Sequence, residues 1–212
     1  MDLSSIESLS GAGAGINFVI EGLGAATVGS LTTQLANTQL MLRDGGMLSG
    51  EVFEILDSAI ISGAGTIVGN VVNNGTVAPS GQLTIDGDYT QSGSGALQID
   101  VSGFASDEFD TLVVTDNLVL NGSLVVVVAD WFMPSTSDPI LSFVNFATLS
   151  GEFSFSELAG YELQSTATSL TLAFADTPMG LSAASFDDER DDVFAEAEFF
   201  ETDFDELIEV SI

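Results

Sequence analysis

Carboxylates are the main chemical resource of this chain. It carries 32 Asp and Glu against two cationic side chains, Arg43 and Arg190, and has no Lys, His or Cys. Asp86 and Asp88 stand two apart in Ile85-Asp86-Gly87-Asp88-Tyr89, so on a strand both would face one side. A glycosidase needs two carboxylates roughly 5–10 Å apart, and this pair is a candidate. Asp-Gly-Asp at a corner is also an ordinary turn, which is the preferred reading. The same two residues, with Asp107, Glu108 and Asp110, are hard oxygen ligands in loop-like sequence and suit calcium. Asp86, Asp88, Asp107 and Asp110 are the expected calcium ligands if the ion is bound. No EF-hand loop and no Gly-Gly-x-Gly-x-Asp array accompanies them. Trp131, followed by Phe132 and Met133, is the candidate ligand contact: it could stack on a sugar, but the preferred reading is that it plugs the cap end of the core.

Composition excludes several other chemistries. A serine nucleophile has no His partner here, so a Ser-His-Asp triad is impossible. A polysaccharide lyase built on an Arg or Lys base has only Arg43 and Arg190 to draw on. The chain is therefore expected not to be an enzyme, with no certain cofactor beyond the calcium option. The formal net charge of −30 leaves nothing to neutralise phosphates, which excludes direct nucleic-acid binding, and it disfavours an anionic membrane surface. Such a charge either serves divalent cations or is the general acidity of a protein adapted to salt. Without cysteine there is no disulfide framework and no thiolate metal site. Asn74-Gly75-Thr76 and Asn121-Gly122-Ser123 match glycosylation acceptors, but both lie in turn sequences.

The elements that must position these residues are short. Between Gly63 and Val101, Thr66–Val68, Asn70–Val72, Gly75–Val77, Leu83–Ile85, Tyr89–Gln91 and Ala96–Ile99 are apolar segments, each cut off by Gly, Asn, Asp or Pro. Helix formers are scarce before residue 185, and 22 glycines supply frequent corners. Apolar peaks at Leu40, Leu48, Ile60, Ile67, Val71, Val77, Leu83 and Tyr89 suggest about three short strands per coil of ~20 residues. The fold expected is all-β: a right-handed parallel β-solenoid with an antiparallel C-terminal cap and an acidic tail. Residues 1–15 read as a flexible lead-in, 16–108 as solenoid, 109–176 as a capping region and 177–212 as an acidic aromatic tail. Asn70, Asn73 and Asn74 either stack at turns or accept left-handed backbone geometry, the second being preferred. Asn121-Gly122 between two apolar runs reads as a hairpin turn. In the tail, Phe200, Phe204, Leu207 and Ile208 would share one face of a helix. With Phe194 and Phe199 they form an expected assembly surface, set against the alternative of a solvated acidic linker.

From Ser58 to Leu172 the order of elements resembles bacterial autotransporter-type adhesins and related large surface proteins. The carrying residues are Ser62–Ile67, Gly69–Pro79, Gly81–Gln91, Gly95–Ile99, Phe109–Val114 and Leu120–Val126. The resemblance implies a right-handed parallel β-helix whose last coils are followed by capping strands, export to the bacterial cell surface, and a structural or adhesive role. It carries over no catalytic residue. The chain departs from that group in showing no recognisable secretion signal and no ten-residue alternating membrane strands after residue 180. The expected localisation is extracellular or at the cell surface, with no membrane insertion. The expected partner is a second copy of the chain, stacked head-to-tail into a filament. The alternative is a monomeric domain that binds a glycan or a cell-surface protein.

Overall fold

A computed structural model describes residues 2–3, 8–10, 16–22, 24–28, 33–133, 135, 138–157 and 161–174. The regular elements among them are all strands. They are β1 (Asp2–Leu3), β2 (Ser8–Ser10), β3 (Ile16–Glu21), β4 (Ala25–Val28), β5 (Thr33–Ala36), β6 (Thr38–Ile55), β7 (Ile60–Asn73), β8 (Thr76–Asp86) and β9 (Tyr89–Gln91). After these come β10 (Ala96–Val101), β11 (Thr111–Val114), β12 (Asn117–Leu120), β13 (Ser123–Val128), β14 (Leu141–Asn145), β15 (Thr148–Gly151), β16 (Phe155–Glu157), β17 (Tyr161–Ser165) and β18 (Ser169–Phe174).

The pairing from β1 to β16 is parallel, and each stretch bonds to the stretch about one pass of the chain further on. Three rows of inward side chains follow from the registers. One runs Phe18, Leu40, Ile61, Val77, Leu97, Leu124. A second runs Ala26, Leu48, Ile67, Ile85, Val114. The third runs Phe53, Val71, Tyr89, Leu118, Leu149. All but Phe18 and Leu149, which are partly buried, are fully enclosed in one core. Strand side chains alternate between faces, and along each row alternate residues point to that core, the alternation breaking where the register shifts at corners.

Backbone bonding continues through the corners. Segments that the sequence divides at glycine are therefore single strands: Thr66–Val68 and Asn70–Val72 both belong to β7, which bends at Gly63 (φ 98°) and Gly69 (φ 135°). Gly63 also sits where a Cβ would collide with the backbone carbonyl of Leu42, so the corner needs both the left-handed φ and the missing side chain.

Side chains brace the other two corners. Where the second row turns into the third, Asn70 Oδ1 accepts the Asp88 N–H (2.9 Å). Asp88 Oδ1 in turn accepts the Asn117 N–H (3.0 Å) and Nδ2 (2.7 Å), and Asn117 Oδ1 accepts the Thr148 hydroxyl (2.7 Å). Where the third row turns back into the first, a ladder of N–H groups bonds corner to corner: Thr76 to Ala59 O, Ala96 to Gly75 O, Ser123 to Gly95 O and Ser154 to Gly122 O. Inside that corner lies a buried polar cluster. Asn73 Nδ2 donates to the Tyr89 hydroxyl (2.9 Å), which donates to Gln91 Oε1 (2.9 Å). Gln91 Nε2 reaches the carbonyls of Gly95, Asn121 and Ser123.

Three expectations change. Asn73 is not a left-handed turn residue; its φ is negative, as are those of Asn70 and Asn74, and its side chain is buried and bonded. Asn121-Gly122 does not close a hairpin. β12 pairs with β9 and β15, and β13 with β10 and β16, because the turn carries the chain to the next face and not back along the same one. Parallel pairing also persists beyond residue 109 through β11, β12 and β13. The switch comes at β14, which is parallel to β11 and antiparallel to β18, while β17 is antiparallel to β18. Within residues 1–15, Asp2–Leu3 and Ser8–Ser10 pair in parallel with β4 and β5. Residues 177–212, with Phe194, Phe199, Phe200, Phe204, Leu207 and Ile208, lie outside the described residues.

Two substitutions test this account of the corners. Gly63→Ala is expected to cost about 1–3 kcal/mol from overpacking, read as a lower urea midpoint; an unchanged midpoint would remove the close-approach argument. Gln91→Leu keeps the core filled but takes the acceptor from the Tyr89 hydroxyl and one donor from the carbonyls of Gly95, Asn121 and Ser123, and a loss of about 1–3 kcal/mol is expected in the same assay.

Candidate functional site

One corner departs from the rest. Between the first and second rows the early passes turn tightly, at Leu42–Gly46 and Gly63–Gly65. After β10 the same corner opens into the loop Ser102–Asp110, and after β13 into a second non-strand stretch, described at residues 129–133, 135 and 138–140. The two departures are level, since Val101 pairs with Val128 in register. Loops carried on a rigid scaffold are where recognition usually resides.

The first loop folds on its own side chains. Ser102 N and Oγ both donate to Glu108 O (2.7 and 2.8 Å), Glu108 Oε2 accepts the Ala105 N–H (3.0 Å), and Val101 and Phe109 form an antiparallel bridge. Asp110 closes it. One carboxylate oxygen accepts the Gly81 N–H from β8 (2.7 Å) and the other the Asp100 N–H from β10 (3.0 Å), so a single side chain ties the loop to two passes of the chain. Asp110 is 7 % exposed. Burial raises its pKa, the two backbone N–H groups oppose that shift, and the neighbouring Asp100 carboxylate adds to it. The loops touch through Phe104 and Phe132, whose rings meet edge to face with centroids 4.9 Å apart, a favoured aromatic geometry.

A cleft of about 510 Å³ lies at the foot of this loop pair. Its acidic wall is Asp100, Asp107, Glu108 and Asp110, and its apolar wall includes Val101, Phe109 and Val127. Trp131 is 78 % exposed. It does not plug the core; Phe132, next to it in the turn that Phe132 N closes on Ala129 O, packs against the core in its place.

The four expected calcium ligands are not brought together. Asp107 and Asp110 line the cleft, whereas Asp86 and Asp88 flank a different corner between β8 and β9. The strand ends at Asp86 and Gly87 turns the chain, so the two-residue spacing does not place both carboxylates on one strand face. Asp86 Oδ1 accepts the Thr115 hydroxyl (3.1 Å) and Asp88 serves the corner ladder. Among the described residues no group of three or more acidic side chains is arranged to hold a metal ion. Sequence reasoning missed Asp100 and the Ser80–Gly81 wall. The available signal was the lengthened spacing between the inward residues Leu97 and Leu124.

No protein-family model matches the chain, and no curated protein or solved structure is similar to it.

The raised pKa of Asp110 fixes a sign. Its folded pKa lies above the ordinary 3.8, so the folded chain binds the proton more tightly than the unfolded one, and stability falls as pH rises from that value through the raised one. In urea unfolding from about pH 3 to pH 7, the wild type is expected to lose stability relative to Asp110→Asn across that window. A difference that stays constant, or runs the other way, would show that Asp110 is not destabilised by ionisation.

Proposed function

We propose that this chain is a right-handed parallel β-solenoid with an antiparallel cap, acting outside the cell as a structural and adhesive module that recognises a glycan or a cell-surface protein through its paired loops. The observation that carries this reading is the single corner that opens from tight turns into two level, mutually packed loops, beside an acidic cleft and an exposed Trp131. Exposed aromatic rings provide large contact area at little entropic cost. The role is read as non-catalytic, supported by the absence of His, Lys and Cys from the sequence and by the carboxylates of Asp86, Asp88 and Asp110 each accepting a structural hydrogen bond. The position of β18, antiparallel on β14, supports a cap over one row at that end of the stack.

Head-to-tail self-association is the second reading. It is favoured by the first pass of the chain, where the described pairings of β1, β2 and β3 lie on one edge only, with β4, β5 and β6. An open parallel edge is a template for another strand. Calcium is retained only as an accessory to the loop cleft, through Asp107 and Asp110.

The two readings separate in one experiment. The full chain and its Trp131→Ala variant are applied to an array of cell-surface polysaccharides and imaged in parallel by negative-stain electron microscopy. The loop reading expects discrete particles and array binding that weakens at least about tenfold on Trp131→Ala, the scale of an aromatic hot spot. Filaments unaffected by the substitution, with an empty array, would replace it with the second reading.

A further inference from the structure

Two Asn-Gly pairs occupy equivalent corners of the chain, and the structure treats them differently. Asn74-Gly75 and Asn121-Gly122 both lie where the third row turns back into the first, two passes apart, with Ser92–Gly95 between them. At the earlier corner the Gly75 N–H is taken by the side-chain oxygen of Asn73, the residue before the pair (3.0 Å). Asn74 is itself held by its N–H on Ile55 O and by its carbonyl on the Ser94 hydroxyl (3.1 Å). At the later corner the Gly122 N–H donates to Oδ1 of Asn121, its own neighbour (2.8 Å). Oδ1 is about 1.2 Å from its carbon, the length of a C=O bond, so this contact holds the electrophilic Cγ of Asn121 beside the Gly122 nitrogen. Reacting atoms held near van der Waals contact convert a bond-forming encounter into an effectively unimolecular one. Asn121 is exposed while Gly122 is buried, so water reaches the leaving amide and the attacking nitrogen is held in place by the corner.

We propose that Asn121 is a self-modification site, converting to a succinimide and then to aspartate and isoaspartate without an enzyme. Base removes the Gly122 N–H proton, and the nitrogen attacks Asn121 Cγ to form a C–N bond. The Cγ–Nδ2 bond breaks, and Nδ2 takes up a proton to leave as ammonia. Water then opens the ring at either carbonyl, so the net change is Asn plus water giving Asp or isoAsp plus ammonia. Asn74 is protected because Asn73 Oδ1 holds the nitrogen that would attack it. Gly122 cannot be replaced to block the reaction, since a Cβ there would collide with the carbonyls of Ser92 and Gly95. The isoaspartate product routes the main chain through the former side chain and so displaces the Asn121 carbonyl, which Gln91 Nε2 now holds at 2.8 Å. The corner that the buried amide braces is thus also the one that ages.

The test uses the full native chain, held at mildly alkaline and at mildly acidic pH and followed by peptide mass mapping with enzymatic isoaspartate labelling. The mass gain of amide-to-acid exchange separates this reaction from isomerisation at Asp44-Gly45 or Asp86-Gly87, which leaves mass unchanged. In the native chain Asn121 is expected to convert about tenfold or more faster than Asn74, a factor set by about 1.4 kcal/mol of barrier. In urea the two sites are expected to react at similar rates. Asn121→Gln is expected to abolish the signal at that position. Conversion at Asn121 no faster than at Asn74 in the native chain would overturn the proposal, whether or not the Gln variant folds.

Discussion

The structure depends on one hydrogen-bonding constraint: each pass of the chain must bond to the pass before it through the corners as well as along the faces. A single pass buries almost nothing by itself. Its inward residues, such as Ile61 or Val77, become core only when Leu40 and Leu97 stack on either side. Faces satisfy their backbone groups by parallel pairing, but corners do not do so automatically, and an unpaired buried N–H or C=O costs about as much as a lost hydrogen bond. The three corners meet this demand in three ways. Glycine allows close backbone approach at one, a relay of Asn, Asp and Thr side chains links successive passes at the second, and the buried amides of Asn73 and Gln91 serve the third. Stability in such an array is roughly a sum of nearest-neighbour terms, so a defect at one corner weakens mainly the passes that meet there.

This explains how the chain carries so many carboxylates with so few cations. With only Arg43 and Arg190 available, acidic side chains cannot rely on ion pairs. Several instead accept N–H or O–H groups at corners: Asp86 from Thr115, Asp88 from Asn117, Asp110 from Gly81 and Asp100. These carboxylates thus serve the scaffold as hydrogen-bond acceptors, although at Asp110 burial outweighs its two N–H bonds and ionisation costs stability. The remaining carboxylates repel one another over a range set by the Debye length, about 8 Å at physiological salt. Added salt therefore reduces the self-repulsion without touching the short corner bonds.

Much of the scaffold was legible in the sequence because a strand's inward positions recur at every second residue and glycine marks where the chain turns. Leu40, Leu48, Ile67, Val71, Val77, Leu83 and Tyr89, picked as apolar peaks, are all buried. The apolar peak at Ile60 is exposed, while Ile61 points inward; two adjacent isoleucines give no local sign of which one faces the core, and a one-residue slip exchanges the faces. The hairpin reading of Asn121-Gly122 failed for a related reason. A turn sequence specifies backbone angles, but not whether the emerging strand pairs with its predecessor or with the neighbouring pass. The amide brace was hidden because Asn and Gln in short polar segments look like turn residues. Only the register, which puts Asn73 over Gln91, makes them core.

The candidate site was legible in its parts and not in its assembly. Asp107, Asp110 and Trp131 could be singled out by chemistry, and Asp86 with Asp88 by spacing. Which of them share a region depends on which corner each occupies, and corner identity is set by counting passes through a ragged repeat. Once Val101 is level with Val128, the loops that follow must emerge side by side. Asp110 then fixes the first loop to the passes below it, and Phe104 joins that loop to the second through Phe132. Each restraint acts before any ligand arrives. The ordering entropy that a free loop would lose on binding is therefore largely met by the scaffold. The same parallel stacking that buries the core thus organises the paired-loop surface on which the proposed recognition rests.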